Sequence, residues 1–395
     1  MKVVMVKYFF DTEANYQITE MAKAWPKEHE LVIITSKYLD YVHKLYDESQ
    51  ELRDRVFEAK YGVTIVRLDC WFRLGSRVFF KGLKPTVESF SPDVLFMHGI
   101  GDFNDVLYLY GRNKYLTFRD CHMSWIASKN RFAKLYYKFY SIFFAPIINK
   151  FHKYELVYAL GLEEKEYIKA IGINDDRIAM LPHGYNKNAY YSSIQLRKSF
   201  RESLGVADDE LLVAYTGKFD YAKSPDVSLD IYESLGDEFI EENKLKFVFI
   251  GPANNTYFDE VFMDKLNRLE FKNRVTILPA VSADELVEVY NGADLCLWPR
   301  ETTLSSIHAQ VCGRPVIMEN HVSNLERVVD RSFLFEKGSL DDAVHKLISC
   351  IEDVKHGHVV NVNKLHGREY NRQVEVMINS WQVIIDERKR NASKL

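Results

Sequence analysis

The sequence predicts an α/β protein with two doubly wound parallel-sheet domains. Short apolar runs alternate with longer amphipathic runs along the 395 residues, and this alternation is typical of parallel strands joined by crossover helices. The pattern restarts in the second half of the chain, which is also too long for one compact core. We therefore expect two domains of the same class, with a boundary near residues 190–205.

The first half of the chain contains seven predicted strands. In chain order they are KVVMVKYFF, ELVIITS, VTIVRLD, DVLFMHG, KYLTFRD, LVYALG and RIAMLPHG. Helices are predicted between them, around Tyr16–Ala24 and at EKEYIKAIG. Strands separated by helices predict a parallel sheet with crossover connections.

The second half repeats this pattern. Its predicted strands are ELLVAYTGKFD, LKFVFIGP, RVTILPAV, DLCLWP and RPVIME. Its predicted helices are RKSFRESLG, SPDVSLDIYESLG, ADELVEVYNGA and SSIHAQVCG, followed by a long final amphipathic helix over Glu369–Arg390. These elements predict a second parallel sheet.

Composition excludes several classes of protein. The net charge of -4 argues against broad nucleic-acid binding, which needs a basic surface. The five cysteines are scattered without C-x-x-C spacing, so we expect reduced thiols and no metal site. The start of the chain does not resemble a signal peptide, and no apolar run reaches the ~20 residues of a membrane-spanning helix. We expect a cytoplasmic protein.

Parallel sheets bind ligands outside the carboxyl ends of their strands, and two such domains create a cleft where these ends face each other. The loops after the predicted strands are therefore candidate binding segments. They cover residues 8–11, 98–102, 120–122, 217–223, 251, 279–281 and 299–306.

Two of these loops have the character of a phosphate site. Gly217 ends a strand, Lys218 follows directly, and Lys223 comes just before a predicted helix starting near Ser224. Two cations beside a helix N-terminus favour an anion such as a diphosphate, although two solvated lysines are the alternative. Residues 302–305 begin another helix, whose backbone N–H groups could hold a phosphate or simply be capped.

An ordered series of motifs resembles the retaining GT-B glycosyltransferases of family 4. The blocks in the second half are LPHGYNKNAYY, YTGKFDYAKSPDV, FIGP, LPAVSADELVEVYNGADLCLWPRE and HAQVCGRPVI. The first half is similar more loosely, through HELVIITS and RDCHMSW. Each motif is weak alone, but their order along nearly the whole chain is specific.

The resemblance implies an architecture and an activity. Residues 1–198 with 370–395 would form the acceptor-side domain, residues 199–369 would form the donor domain, and the final helix would cross back to the first domain. The enzyme would transfer a hexose from a nucleotide sugar to a glycan or lipid-linked acceptor, without a metal or other cofactor. GDP-mannose is the first donor expected and a UDP-hexose the second. The chain would be a monomer or homodimer.

The resemblance also implies roles for individual residues. Lys218 and Lys223 would hold the donor diphosphate and neutralise the leaving group, and His122 would approach the transferred sugar. The remaining donor-binding residues implied are Gly217, Gly251, Pro279, Ala280, Val281, Thr302, Thr303, Leu304, Ser305 and His308.

The sequence departs from the family pattern at two places. The family carries two glutamates in an E-x7-E spacing, but Arg300 and His308 occupy those positions here. We expect Glu301 to serve as the sugar-facing acid after a shift of one residue, and His308 to bond the ribose hydroxyls or to be a partly buried structural residue. KYFFDTEAN replaces the family's glycine-rich loop, which suggests a different acceptor pocket.

The sequence leaves two other functions open, as well as two interpretations of one segment. The imperfect acid pair would suit a sugar-nucleotide-binding protein that has lost transfer activity, and a related GT-B sugar epimerase would need no acceptor. Residues 131–155 mix aromatic residues with lysines. They predict either a peripheral membrane contact or a buried helix pair with snorkelling lysines.

Overall fold

The computed structural model describes residues 1–14, 16–39, 46–74, 77–101, 104–111, 113–123, 132–253, 255–300 and 302–392. The strands are β1 (Lys2–Val6), β2 (Glu30–Ser36), β3 (Val63–Leu68), β4 (Cys70–Leu74), β5 (Arg77–Phe80), β6 (Val94–Met97), β7 (Leu116–Cys121), β8 (Val157–Ala159), β9 (Ile178–Met180), β10 (Leu211–Thr216), β11 (Leu245–Ile250), β12 (Val275–Leu278), β13 (Leu295–Trp298), β14 (Val316–Glu319) and β15 (Leu334–Phe335).

The α-helices are α1 (Gln17–Lys23), α2 (Glu48–Tyr61), α3 (Leu83–Ser89), α4 (Asn104–Leu109), α5 (Ala133–Phe143), α6 (Ala145–Phe151), α7 (Leu162–Ala170), α8 (Ile194–Leu204), α9 (Asp226–Glu233), α10 (Asp237–Glu242), α11 (Asp264–Asn267), α12 (Ala283–Gly292), α13 (Ser305–Val311), α14 (Val322–Arg327), α15 (Leu340–Lys355) and α16 (Tyr370–Ala392). A π-helical segment, Phe258–Met263, precedes α11.

The chain forms two compact units. Unit 1 comprises residues 1–184 and 368–395, and unit 2 comprises residues 185–367. Unit 2 therefore begins at Tyr185, upstream of the residue 199 expected from the sequence. The reason is that the intervening segment packs on unit 2: Tyr190 lies in its core, and the Ser193 N–H donates to Asn291 Oδ1 at 2.6 Å.

Unit 1 contains a seven-stranded parallel sheet in the order β3-β2-β1-β6-β7-β8-β9. Side chains of β1 alternate between two buried clusters, with Val4 and Val6 on one face and Val3 and Met5 on the other. Burial on both faces is what a parallel sheet covered by helices requires. The sequence predicted these seven strands, but it did not predict the separate antiparallel pair of β4 and β5.

The final helix α16 packs in unit 1, as the sequence predicted. Its buried Trp381 stacks on Phe118 with ring centroids 5.1 Å apart, and its indole N–H donates to the Tyr158 hydroxyl at 2.9 Å. Because both partners belong to strands β7 and β8, the C-terminal segment completes one hydrophobic face of the first sheet.

Unit 2 contains a six-stranded parallel sheet in the order β12-β11-β10-β13-β14-β15. This confirms the predicted fold class, with one short strand, β15, that the sequence reading omitted. The buried carboxylate of Asp294 lies at the amino end of β13. It accepts hydrogen bonds from the guanidinium groups of Arg197 and Arg201 at 2.6 and 2.9 Å, and from the Leu212 N–H at 2.7 Å. These bonds fix α8 against β10 and β13.

No helix among the described residues combines the length and the apolar character needed to cross a membrane.

Candidate functional site

Each sheet has one point where the order of its strands reverses, and such points are where doubly wound proteins bind ligands. In unit 2 the reversal lies between β10 and β13, so their carboxyl ends diverge there. Gly217 follows β10 and Pro299 follows β13. In unit 1 it lies between β1 and β6, which are followed by Lys7 and His98. In unit 2, Lys218 and Lys223 follow β10 and residues 302–305 follow β13, whereas residues 279–281 follow the edge strand β12. In unit 1, His122 follows β7, the neighbour of β6.

Gly217 and Gly251 are in direct contact at the carboxyl ends of β10 and β11. The Gly217 N–H donates to the Ile250 carbonyl oxygen at 2.9 Å. A Cβ atom at Gly251 would lie 1.8 Å from the Gly217 carbonyl oxygen, so no other residue fits at position 251 without moving the backbone. The two glycines therefore let the loops after these strands approach each other closely.

The loop after β10 is shaped by its own side chains. Asp220 Oδ1 accepts from the backbone N–H groups of Ala222 and Lys223 at 3.1 and 2.9 Å, which closes a tight turn. Ser224 then adopts a positive φ of 42°, and Pro225 caps α9. The helix therefore begins at Asp226, two residues later than expected, because Ser224 has a non-helical backbone conformation.

Lys223 joins the two loops that the sequence proposed as phosphate sites. Its ammonium group donates to the Thr302 carbonyl oxygen at 2.7 Å, across 79 residues of sequence. The buried Arg327 guanidinium donates to Thr302 Oγ1 at 2.8 Å. Two cationic side chains thus hold the segment after β13 from both sides.

The segment 302–305 uses part of its hydrogen-bonding capacity internally. The Ser305 N–H donates to Thr303 Oγ1 at 3.2 Å, and α13 begins at Ser305. The Ser306 hydroxyl donates to the Thr303 carbonyl oxygen at 2.7 Å. The Thr303 hydroxyl therefore accepts from the first residue of α13, and residues 302–304 are half-buried.

Lys218 lies exposed beside this arrangement. Its carbonyl oxygen accepts from the Tyr215 hydroxyl at 2.8 Å, which fixes the backbone where the side chain emerges. Among the described residues, no acid pairs with its ammonium group. An exposed cation at a strand end is available to an external anion.

Pro279, Ala280 and Val281 form the loop after β12. Pro279 and Ala280 are exposed and Val281 is half-buried. The Gly251 N–H donates to the Leu278 carbonyl oxygen at 3.3 Å, so this loop lies next to the glycine pair. The structure thus brings Gly217, Gly251 and residues 279–281 to one edge of the sheet, and Lys223 and Thr302 meet at the same edge.

His308 stacks on an aromatic ring. Its imidazole lies parallel to Tyr190, with ring centroids 3.8 Å apart and an interplanar angle of 8°. Burial lowers the pKa of His308 to about 3, so the ring is neutral near pH 7. The stack gives His308 a structural role, and the predicted bond to a ribose stays a prediction. Glu301, the expected sugar-facing acid, lies outside the described residues.

In unit 1, His122 belongs to a hydrogen-bonded group with a buried carboxylate. Asp120 Oδ2 lies 2.6 Å from His98 Nδ1 and 3.0 Å from His122 Nε2. Asp120 Oδ1 also accepts from the Gly99 N–H at 2.6 Å. One carboxylate therefore orients both imidazoles at the carboxyl ends of β6 and β7.

The charges in this group can be assigned from its environment. Although burial alone would raise the pKa of Asp120, the two imidazoles and their hydrogen bonds hold it well below its usual range. Burial lowers the pKa of His98 to about 4, against the opposing effect of Asp120. His98 is thus neutral and donates its Nδ1–H, whereas His122, about 30% exposed, donates its Nε2–H to the same carboxylate oxygen.

The same three side chains are also a possible metal-ligand set by residue type, since their ligand atoms lie within 4.8 Å of one another. The distances of 2.6 and 3.0 Å to Asp120 are those of hydrogen bonds. Lys7 is a further cation near this carboxylate: burial lowers the pKa of Lys7, and Asp120 opposes that shift. Because Asp120 already faces these donors and Lys7, the group fits a proton-ordered hydrogen-bond network better than a dication.

The sequence reading missed several members of the two sites. Tyr190 contacts His308, 118 positions away in sequence, and Arg327 contacts Thr302, 25 positions away. No local sequence pattern indicates contacts over such separations. Asp120 and His98 fell inside candidate loops without an assigned role. A cavity of about 450 Å³ in unit 2, lined by residues of α14 and its following loop, contains none of the predicted donor-binding residues.

Part of the chain is similar in sequence to known proteins. Residues 197–364 match the family model described as glycosyl transferases group 1. Curated relatives include D-inositol 3-phosphate glycosyltransferases of Rhodococcus jostii, 29% identical over 162 residues, and of Xylanimonas cellulosilytica, 26% identical over 170 residues. The alignments cover 40% and 41% of this chain but 35% and 39% of those relatives.

Solved structures match over almost the whole chain. The Anabaena protein HepE, crystallised with UDP and glucose, has a TM-score of 0.68 at 15% identity, over 96% of this chain and all of the other. A glycosyltransferase from Rickettsia africae has a TM-score of 0.73 at 12% identity, over 97% and 98% of the two chains. The fold is that of the GT-B glycosyltransferases. The GT-B fold implied by the motif series is thereby confirmed.

Proposed function

We propose that this chain is a retaining glycosyltransferase of family 4 that transfers a hexose from a nucleoside diphosphate sugar to a glycan or lipid-linked acceptor. The contact between Lys223 and the Thr302 carbonyl is the observation that carries the proposal. It joins two independently predicted phosphate-binding loops at the strand-order reversal of unit 2. The family match over residues 197–364 covers the same unit.

In this proposal, Lys218 and Lys223 bind the donor diphosphate and offset the charge that develops on the leaving group. The backbone near residues 302–305 contacts the distal phosphate, and residues 278–281 with Gly251 border the nucleoside. The leaving phosphate takes the acceptor's proton as the new glycosidic bond forms on the same face of the sugar. Catalysis then depends on positioning and electrostatics, with no metal ion.

His122 would act from the acceptor-side unit. With its Nε2–H donated to Asp120, its Nδ1 is the ring atom left to form a hydrogen bond with a sugar hydroxyl. We propose that this bond orients the transferred hexose. The donor is either GDP-mannose or a UDP-hexose, and the HepE complex with UDP-glucose supports testing the UDP-hexose first.

Calorimetric titration with UDP-glucose and GDP-mannose, followed by donor hydrolysis assays, tests the proposal. Lys223→Ala should weaken donor binding by about tenfold or more, since a charge-assisted bond to phosphate is removed. Lys198→Ala, an exposed lysine on α8, is the matched control and should bind as wild type does. No heat with any sugar nucleotide would refute the proposal.

Two further outcomes decide between related functions. Binding without hydrolysis or transfer to any acceptor would identify a sugar-nucleotide-binding protein that has lost transfer activity. Turnover abolished by EDTA and restored by a divalent cation would refute the metal-independent mechanism.

A further inference from the structure

Helix α5 exposes an apolar stripe. Leu135, Phe139, Ile142 and Phe143 recur at positions i, i+4, i+7 and i+8, so they share one side of the helix. Their exposed fractions run from 48% to 68%. The opposite side, which includes the buried Tyr140, packs into unit 1. With respect to the two interpretations of residues 131–155, one side of α5 is buried and the side that carries the stripe is exposed.

Cationic residues border this stripe. Lys134 and Lys138 are exposed one turn apart on the adjacent side of α5. The chain from 121 to 154 contains six lysines and arginines and no aspartate or glutamate. Asp105 on neighbouring α4 is buried and accepts from the Tyr140 hydroxyl, so it does not offset this charge at the surface.

Helix α4 extends the apolar surface. Val106 and Leu107 are exposed, and the Tyr110 hydroxyl donates to the Phe143 carbonyl oxygen at 2.9 Å, which ties the two helices together. Between them lies a cavity of about 250 Å³. Its lining is mainly apolar and includes Val106, Phe139, Tyr140 and Phe144, with Arg77 at one side.

We propose that this surface binds an anionic phospholipid bilayer and that the cavity admits the end of one hydrocarbon chain. We name it the α5 face and define it by Leu135, Phe139, Ile142, Phe143, Lys134, Lys138, Val106 and Leu107. The apolar stripe enters the boundary between headgroups and acyl chains, while the lysines contact lipid phosphates. The phenyl and aliphatic side chains offer no hydrogen bonds, which suits hydrocarbon better than a polar protein partner.

Charge complementarity also favours a lipid surface over a second copy of the chain. Two α5 faces packed together would bring their lysines into proximity, and like charges at an interface oppose association. An anionic bilayer supplies the missing negative charge. The proposal does not depend on the proposed function, because vesicle binding requires no sugar transfer.

Vesicle co-sedimentation tests the proposal directly. Wild type should sediment with vesicles of phosphatidylcholine and phosphatidylglycerol, more weakly with phosphatidylcholine alone, and less at high salt. Leu135→Ser with Phe139→Ser should abolish binding to both. Lys134→Glu with Lys138→Glu should reduce partitioning into anionic vesicles by about tenfold or more, because each charge is reversed.

Matched controls distinguish specific vesicle binding by the α5 face from nonspecific adsorption of exposed apolar residues and from misfolding. Val376→Ser with Val383→Ser removes two exposed apolar side chains from α16 of the same unit and should leave sedimentation unchanged. Circular dichroism should show each variant folded, and donor hydrolysis without vesicles should match wild type. If wild type did not hydrolyse any donor, the proposed function would be refuted, but the membrane proposal would not be affected.

Three results would overturn the membrane proposal. One is equal sedimentation of wild type and the serine variant. Another is the absence of wild-type binding to anionic vesicles. The third is self-association of wild type in analytical ultracentrifugation that the serine variant abolishes, since the face would then be occupied by a second copy.

Discussion

The orientation of the His122 imidazole depends on the carboxylate of Asp120. Its hydrogen bonds at 2.6 and 3.0 Å orient two imidazoles with defined proton positions. Asp120→Asn should leave donor affinity unchanged but lower kcat by on the order of 100-fold, because an amide can present an N–H where the imidazoles need an acceptor. Calorimetry and steady-state kinetics measure the two quantities separately.

Asp209→Asn is the control for that experiment, since Asp209 is exposed and pairs with Lys244 at the surface. Imidazole ¹⁵N chemical shifts supply a readout that lost stability would not mimic, because they report which ring nitrogen of His122 carries the proton. An Asp120→Asn protein with wild-type kcat would show that His122 is oriented by other means.

His308 predicts a pH-dependent stability. In the folded chain, burial lowers the pKa of His308 from its ordinary 6.5 to about 3, so the unfolded chain binds the proton that the folded chain excludes. As the pH falls from 6.5 towards 3, this residue should reduce the free energy of unfolding by up to about 1.4 kcal/mol per pH unit. His308→Phe keeps the stack on Tyr190 and should remove that slope.

Denaturant unfolding of wild type and His308→Phe between pH 7 and pH 5 measures the effect, because the contribution of His98 cancels in the difference. His345→Phe, at an exposed histidine, should leave the slope as in wild type. Parallel pH profiles for wild type and His308→Phe would mean that the stacked imidazole accepts a proton at its ordinary pKa.

At this scale the sequence predicted which loops matter, but not how they meet. Lys218, Lys223 and Thr302 could be selected because each follows a predicted strand. The bond from Lys223 to Thr302 and the stack of Tyr190 on His308 join positions 79 and 118 residues apart. Such contacts follow from the register of the sheet and the packing of the interdomain segment, neither of which a local pattern specifies.

At the level of elements, the pattern of apolar residues predicted most strands of the two parallel sheets. All seven parallel strands of unit 1 and five of the six in unit 2 were predicted, because buried parallel strands are nearly continuous apolar runs. Strand β15 has only two residues, and β4 and β5 are mixed in polarity, so neither presents a clear period. Helix starts shifted where a turn intervened, as at Ser224.

The docking of α8 rests on one buried carboxylate. Asp294 neutralises Arg197 and Arg201, which are 97 and 93 residues away. Asp294→Asn should destabilise unit 2 by about 3 kcal/mol, because it leaves buried guanidinium charge without its anion. Asp209→Asn breaks an exposed pair and should cost less than about 1 kcal/mol. Denaturant unfolding distinguishes them, and equal losses would contradict a special role for Asp294.

For the whole molecule, the two units share a topology but carry different chemistry at their strand-order reversals. Unit 2 gathers glycines, lysines and a helix start after β10, β11 and β13, which suits a phosphorylated ligand. Unit 1 gathers a half-buried lysine, two imidazoles and a carboxylate after β1, β6 and β7. One fold therefore supports two kinds of site, and the residues in the loops determine which.

The prediction at this scale is that unit 1 needs the last helix, α16, in order to fold. Removing residues 368–395 would expose Trp25, Phe96 and Phe118, which pack around Trp381, and would leave the Tyr158 hydroxyl without its donor. We expect this truncation to unfold unit 1 while unit 2 retains its thermal transition, with donor binding kept and transfer lost. Calorimetric scans and titrations measure both. A control truncated after residue 386 keeps Trp381 and Ile385 buried and should behave as wild type. If the longer truncation folded and transferred sugar normally, α16 would be an accessory segment, and the hydrophobic face that it covers would be stable in water without it.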